Sequence, residues 1–303
     1  MQTAPLGKTG LSVSVAGLGC GGPSRLGLRE GYGNTEDDAV RLVRTAIDLG
    51  VTMIDTATAY GTEAVAGRAI RESGQRDALV VSSKQGVGER TKNDYADSID
   101  ASLAATGLDY LDLYHVHGVG VEELPRVMDE LVPALLDAKA AGKVRHLAIS
   151  ERFEAEPSHA MFRRLFENAA WAGVFEVAMV GFNLLNPSAR RHVFPHTQQR
   201  GIGTLDMFAV RRALTNPDRR ASVLAEMGHP ADALDWVGDA AAITDAGYRF
   251  CRHEAGVDCV LFGTGNEAHL RQNLASLKAG PLPAEVSARL QRLFGNAEAV
   301  SGS

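Results

Sequence analysis

The sequence predicts a closed (β/α)8 barrel, an α/β TIM barrel with an N-terminal β-hairpin and a long connection after strand 7. Three observations predict it. Short apolar runs alternate with longer segments of helical period about eight times, the number that a closed barrel of parallel strands requires. The first glycine cluster, Gly17-Leu18-Gly19-Cys20-Gly21-Gly22, lacks the Gly-x-Gly-x-x-Gly spacing with which a doubly wound sheet opens. Finally, Asp55, Tyr60, Lys84 and His117 fall at the trailing ends of three successive strand-like runs, and a parallel barrel gathers its strand C-termini on one face.

Each element can be justified in order. Leu6 to Val13 reads as a hairpin around a glycine-containing turn, placed to plug the bottom of the barrel. Val15 to Gly19 is the first strand. Glu36 to Leu49 is the first helix, because Ala39, Val40, Val43, Ala46 and Ile47 recur along one helical face. Thr35 is its N-cap, Asp38 answers three residues on, and Gly50 closes it. The same grammar then repeats: Thr52 to Asp55 before Glu63 to Glu72, Leu79 to Lys84 before Tyr95 to Thr106, and Leu111 to His117 before Glu122 to Ala141. His146 to Ser150 precedes Ser158 to Trp171, Glu176 to Phe182 precedes Ser188 to Arg200, and Gly203 to Asp206 opens a longer segment. The last unit is Asp258 to Gly263 before Glu267 to Ala279. Ala213 to Trp236, with Asn216-Pro217 and Gly228-His229-Pro230, reads as a long connection on the side of the polar cluster, where long loops are usually functional.

No Pro-rich or Ser-rich linker divides the 303 residues, so residues 1–303 read as one barrel domain. Hydrophobic residues at 45% and charged residues at 22% are those of an ordinary soluble globular protein. A net charge of -6 gives no electrostatic case for nucleic acid or an anionic membrane as partner. Met1-Gln2-Thr3-Ala4-Pro5 has no basic region leading into an apolar core, and no apolar run is long enough to span a bilayer, which predicts a cytoplasmic protein. The sequence carries no signal of oligomeric state. Cys20, Cys251 and Cys259 are odd in number and irregular in spacing, so they read as reduced thiols. Cys259 sits in an apolar run as a core residue, and Cys20, just past the first strand, reads as lining the pocket.

A phenol, an amine, a carboxylate and an imidazole are the parts needed to give a proton to a carbonyl oxygen. Taken singly, Tyr60 reads as a surface tyrosine, Lys84 as a solvated charge, Asp55 as a helix cap and His117 as a satisfied polar group. Their joint placement does not. Side chains alternate along a strand, so His115 and His117 both face into the barrel. No third acidic or cysteine ligand accompanies them, so no metal site is expected, and His115 is read as hydrogen-bonded inside the barrel.

The blocks Ile54-Asp55-Thr56-Ala57-Thr58-Ala59-Tyr60-Gly61, Ser82-Ser83-Lys84 and Asp112-Leu113-Tyr114-His115-Val116-His117 resemble signature blocks of the aldo-keto reductase superfamily. Leu6 to Leu11 with Gly17-Leu18-Gly19 resembles that family's opening hairpin and first strand, and Gly263-Thr264 with Leu270 and Asn273 its last cofactor block. The resemblance implies a nicotinamide-dependent oxidoreductase acting on an aldehyde, ketone or aldose. Tyr60 would be the proton donor, Lys84 would favour its phenolate, Asp55 would hold Lys84, and His117 would orient the substrate oxygen. An NAD-dependent aldose dehydrogenase and a non-catalytic nicotinamide-binding redox sensor are the alternatives. The intact set of four argues against the sensor.

The resemblance also implies a cofactor extended across the barrel mouth past Gly19, Cys20 and Asp55. Ser150 would reach its carboxamide, Phe182 would stack on the nicotinamide, and Met207, Phe208 and Val210 would line the pyrophosphate. Gly263, Thr264, Gly265, His269, Gln272 and Asn273 would surround the adenosine. Where the family often has Ser-Asn and Gln around the carboxamide, this chain has Ser150-Glu151 and Met179, and Glu151 reads either as a charge beside the cofactor or as a carboxylate in solvent. NADPH is favoured with NADH as the close alternative, since Gly263 and His269 stand where many NADPH-dependent relatives carry Lys and Arg. Arg211, Arg212 and Arg271 are the cations left to compensate. Cys20, Pro23, Tyr32, Tyr60, His117, Phe153 and Trp236 are the expected walls for a small carbonyl or sugar substrate.

Overall fold

The alternating runs resolve into eight parallel strands closed on themselves in the computed structural model, which describes residues 1–303. Strands β1 (Thr3–Pro5) and β2 (Ser12–Ser14) form an antiparallel hairpin, with Thr3 opposite Ser14. The barrel runs through β3 (Ala16–Gly19), β4 (Met53–Asp55), β5 (Val80–Gly86), β6 (Leu111–Val119), β7 (Val144–Glu151), β8 (Val177–Gly181), β9 (Gly203–Met207) and β10 (Cys259–Phe262). Each strand pairs with the next, and β10 returns to β3. Around it lie α1 (Glu36–Asp48), α2 (Glu63–Ser73), α3 (Lys92–Thr106), α4 (Leu124–Arg126), α5 (Val132–Ala140), α6 (Ala160–Glu167), α7 (Ala189–His192) and α8 (Phe194–Arg200). The chain continues through α9 (Arg212–Thr215), α10 (Pro217–Glu226), α11 (Ala240–Arg252), α12 (Glu267–Lys278) and α13 (Ala284–Phe294).

Strand alternation sorts the core into an inside and an outside. Met53, Val80, Leu113, Val177, Leu205 and Cys259 fill the lower barrel, and Leu6 and Val13 of the hairpin segment join them as the expected plug. A second, larger cluster packs the outward side chains, such as Leu18, Ile54, Val81, Tyr114, Val116 and Val180, against the helices. The upper barrel holds no such apolar filling. There the inward positions are Asp55, Ser82, Lys84, His115 and His117, so these polar residues stand on a packed floor.

Local differences from the sequence reading have local causes. The helix expected over 122–141 widens into a π turn at Val127–Leu131, next to Pro133, whose nitrogen cannot donate into a regular helix. The helix expected over 188–200 divides at Val193, with Pro195 in the first turn of α8. Helix α3 starts three residues before the expected Tyr95, because Thr91 and Asp94 form a capping box like that of Thr35 and Asp38. The expected loop over 213–236 contains α9 and α10. Asn216 accepts the N–H of Arg219 at 2.9 Å, and Pro217 takes the first helical position, where a missing N–H costs nothing.

Candidate active site

Successive strand ends assemble the polar cluster. Lys84 is fully buried on β5, and its Nζ donates to Asp55 Oδ2 at the end of β4 and to the carbonyl of Thr56, both at 2.6 Å. Asp55 Oδ1 accepts from Ser82 Oγ at 2.8 Å, so both carboxylate oxygens are engaged. Tyr60 sits on a single 3-10 turn after β4, and the Lys84 ammonium lies 5.0 Å from its ring centroid. Its hydroxyl is 3.3 Å from His117 Nε2, with the two rings edge to face at 87°. Gly21 backs the phenol. A Cβ there would come within 2.5 Å of the Tyr60 ring, so any other residue would displace it.

Burial dominates the electrostatics. It raises the Asp55 carboxyl, and the Lys84 charge pulls back against it. Burial opposes the Lys84 charge, but Asp55 and Tyr60 outweigh it, and the ammonium is held above its ordinary value. The expectation that Lys84 favours the Tyr60 phenolate is met only as an opposing influence: burial comes first and raises the phenol. Tyr60 therefore keeps its proton at neutral pH. His117 is pushed down to about 3 by burial and by Lys84, so its imidazole is neutral. His115 faces inward beside Lys84 in register, as alternation predicts, and its buried ring has only a weak hydrogen-bonding contact, with the Ile149 backbone. Burial and Lys84 push it well below its ordinary value, leaving a neutral ring.

A cleft of about 910 Å³ begins at Asp55 and Tyr60 and runs across the mouth between β9, β10 and α11. Gly19, Pro23, Tyr32, Met207, Phe208 and Val210 line it, as do Gly263, Thr264, Gly265, His269, Gln272 and Asn273. Met179 and Leu261 give its inner end an apolar floor, and Arg211 and Arg212 bring two cations to its wall. Arg271 instead points outward to Glu267. Sequence reasoning missed the far wall, made by Ala240, Ala241, Thr244 and Tyr248, although their spacing marks one face of a helix. The residues suit an extended dinucleotide: glycine backbone for close approach, guanidinium groups for phosphate and an apolar floor for a flat ring.

Several expected wall residues lie elsewhere. Cys20 and Phe182 each follow an inward glycine, Gly19 and Gly181, so alternation turns them outward. Cys20 is wholly buried, and burial pushes its thiol up. Phe182 stacks on Phe250 at 5.5 Å and meets Phe194 edge-on at 5.1 Å, behind the barrel wall. Ser150 is 1% exposed, and its Oγ accepts the N–H of Gly118 at 2.9 Å. Phe153 packs beneath the mouth against His159 and Phe208. Trp236 donates to the Ala233 carbonyl at 2.8 Å and lies under Arg289, away from the cleft. Glu151 is neither beside the cleft nor in solvent; it is buried and paired with His159 at 2.9 Å.

Fold and site together define a (β/α)8 barrel with a tyrosine, lysine, aspartate and histidine cluster at the head of an elongated cleft. The aldo/keto reductase family model matches residues 20–294, and the chain belongs to that family. It is 32% identical to the aldo-keto reductase YhdN of Bacillus subtilis (strain 168) over 165 residues, 50% of this chain and 47% of that protein. It is 35% identical to the L-galactose dehydrogenase of Arabidopsis thaliana over 162 residues, 50% of this chain and 48% of that one. The chain thus spans about half the length of these curated relatives. Its fold matches an aldo/keto reductase from Klebsiella pneumoniae solved in complex with NADP and acetate, with a TM-score of 0.73, 22% identity, and coverage of 99% of this chain and 98% of that one.

Proposed function

We propose that this protein, read as a single barrel domain, is an NADPH-dependent oxidoreductase that interconverts a small carbonyl compound and its alcohol, with Tyr60 as general acid and base. The observation that carries the reading is the Asp55–Lys84–Tyr60–His117 cluster, whose Asp55 and Tyr60 line a dinucleotide-sized cleft. A nicotinamide held over Met179, Met207 and Leu261 would supply the hydride to the carbonyl carbon, or accept it in the reverse direction. Tyr60 gives its proton to the carbonyl oxygen as the negative charge develops there. Lys84 stabilises the phenolate left behind, and its pairing with Asp55 keeps it charged and fixed in a fully buried site. Neutral His117 hydrogen-bonds the substrate oxygen and orients it toward Tyr60.

Arg212 supports NADPH over NADH. It lines the cleft without a carboxylate partner, whereas Arg211 lies 3.7 Å from Glu154 and 4.1 Å over the Phe208 ring. Pro23, Tyr32 and Tyr60 in the lining suit a compact aldehyde, ketone or aldose. The name of the Arabidopsis relative, L-galactose dehydrogenase, favours a second reading on the same residues, oxidation of an aldose. Three free, buried cysteines suit the reducing cytoplasm.

Fluorescence titration with NADPH and then NADH, followed by turnover of an aromatic aldehyde by wild type and Tyr60→Phe, tests the proposal. The expected result is tighter binding of NADPH and a turnover loss of about 10²- to 10⁴-fold in the variant. Binding without turnover across aldehydes, ketones and aldoses would favour the sensor, and absence of binding would sink the cofactor reading.

A further inference from the structure

The geometry points to Glu151 and His159 as a buried pair that positions the cofactor-facing wall of the cleft from outside the barrel, an inference that rests on the cofactor reading above. Glu151 ends β7 and turns outward, the side opposite Ser150. Its Oε1 accepts the N–H of Gly181 at 2.8 Å and faces His159 Nδ1 at 2.9 Å, while Oε2 lies 3.0 Å from the same nitrogen. His159 is 0% exposed, sits at the start of α6 with a left-handed φ of 59°, and has no partner for Nε2. A buried imidazole with one nitrogen unpaired, on a backbone that an ordinary side chain rarely adopts, is held at a cost. Its remaining contact shows what that cost supports.

Phe153 stacks on the His159 ring, with centroids 5.3 Å apart and planes at 25°. It also covers Gly181, where a Cβ would come within 2.0 Å of the Phe153 ring, and meets Phe208 edge-on at 5.5 Å. Phe208 lines the cleft with φ of 72°, a backbone that a bulky aromatic holds only when its surroundings impose it. Glu151 thus fixes His159, His159 supports Phe153, and Phe153 braces Phe208 in its strained form. Neither Glu151 nor His159 lines the cleft, so both are positioning residues.

His159→Gly removes the supporting ring and suits the left-handed backbone, and His159→Asn does the same while keeping a side chain that can reach Glu151. Each is expected to weaken NADPH binding about tenfold while leaving kcat at saturating cofactor within about twofold. Phe208→Ala should weaken binding similarly, and the double variant His159→Asn/Phe208→Ala should bind no more weakly than Phe208→Ala alone. Wild-type NADPH affinity in both His159 variants, or additive losses in the double variant, overturns the inference. Amide hydrogen exchange over residues 207–212 reads the same positioning without any cofactor. It should accelerate in His159→Asn, and unchanged exchange there overturns the inference. A wild type that binds neither NADPH nor NADH overturns the cofactor reading instead.

Discussion

Asp55 on β4 and Asp206 on β9 are both buried acids of the same barrel wall, yet their surroundings are opposite. Asp55 points inward from β4 and has Lys84 on one oxygen and Ser82 on the other. Asp206 points outward from β9 into the shell that holds Cys251 and Tyr248, where the Cys251 thiol and the Phe182 backbone approach it but no cation does. Burial raises both, but only Asp55 has a cation to draw it back toward ionisation. The difference teaches that burial by itself makes a carboxyl neutral, and that a buried charge survives where the chain brings up its partner. Of the two, only Asp55 has a paired cation, and Asp206 is held without one.

Breaking the pair should have the largest effect. Lys84→Met leaves Asp55 without its cation, and the expected outcome is a turnover loss of about 10²- to 10⁴-fold together with destabilisation of roughly 3–5 kcal/mol, read by steady-state kinetics and denaturant unfolding. Full activity in that variant would remove Lys84 from the mechanism.

Asp206→Asn sharpens the contrast from the other side. Because the native carboxyl is held well above 3.8, the unfolded chain loses its proton first as pH rises, so wild-type stability from this group is complete below about 3.8 and declines above it. The variant has no proton to lose. Its expected gain is about 1–3 kcal/mol at neutral pH, shrinking toward pH 4, as measured by thermal unfolding across that range. A uniform loss of stability instead would mean that the contacts from Cys251 and Phe182 outweigh the cost of burying the charge.

His117 should act on the acid side of the same titration, with the opposite sign. Its folded pKa of about 3 lies below the ordinary 6.5, so its stability contribution is complete above about 6.5 and is lost as pH falls toward 3. His117→Gln should flatten that acid limb in an unfolding titration. An unchanged acid limb would place the ring in contact with water.

Much of this was legible along the chain. Asp55, Lys84 and His117 each close a strand-like apolar run, and Tyr60 follows five residues after Asp55, so topology alone brings them to one face. Two of the errors fall one residue beyond a strand. At Cys20 and Phe182 a single step reverses the direction of the side chain, and no composition signal marks where the inward register ends. The cap at Thr91 was readable from its own pattern, since Asp94 stands three residues on, as Asp38 does from Thr35.

By itself the sequence determined the barrel, its plug and the four polar groups, because apolar periodicity and strand-end position are local properties that survive without knowledge of neighbours. Only the tertiary structure decided which carboxyl is charged, that Glu151 turns away to His159, and that α11 forms the far wall of the cleft. Each of these depends on what packs across from a residue, and the facing partners come from segments far apart in the chain. His159 lies eight residues from Glu151, but Gly181 lies thirty away, and the hydrogen bonds to both decide what that carboxylate can do.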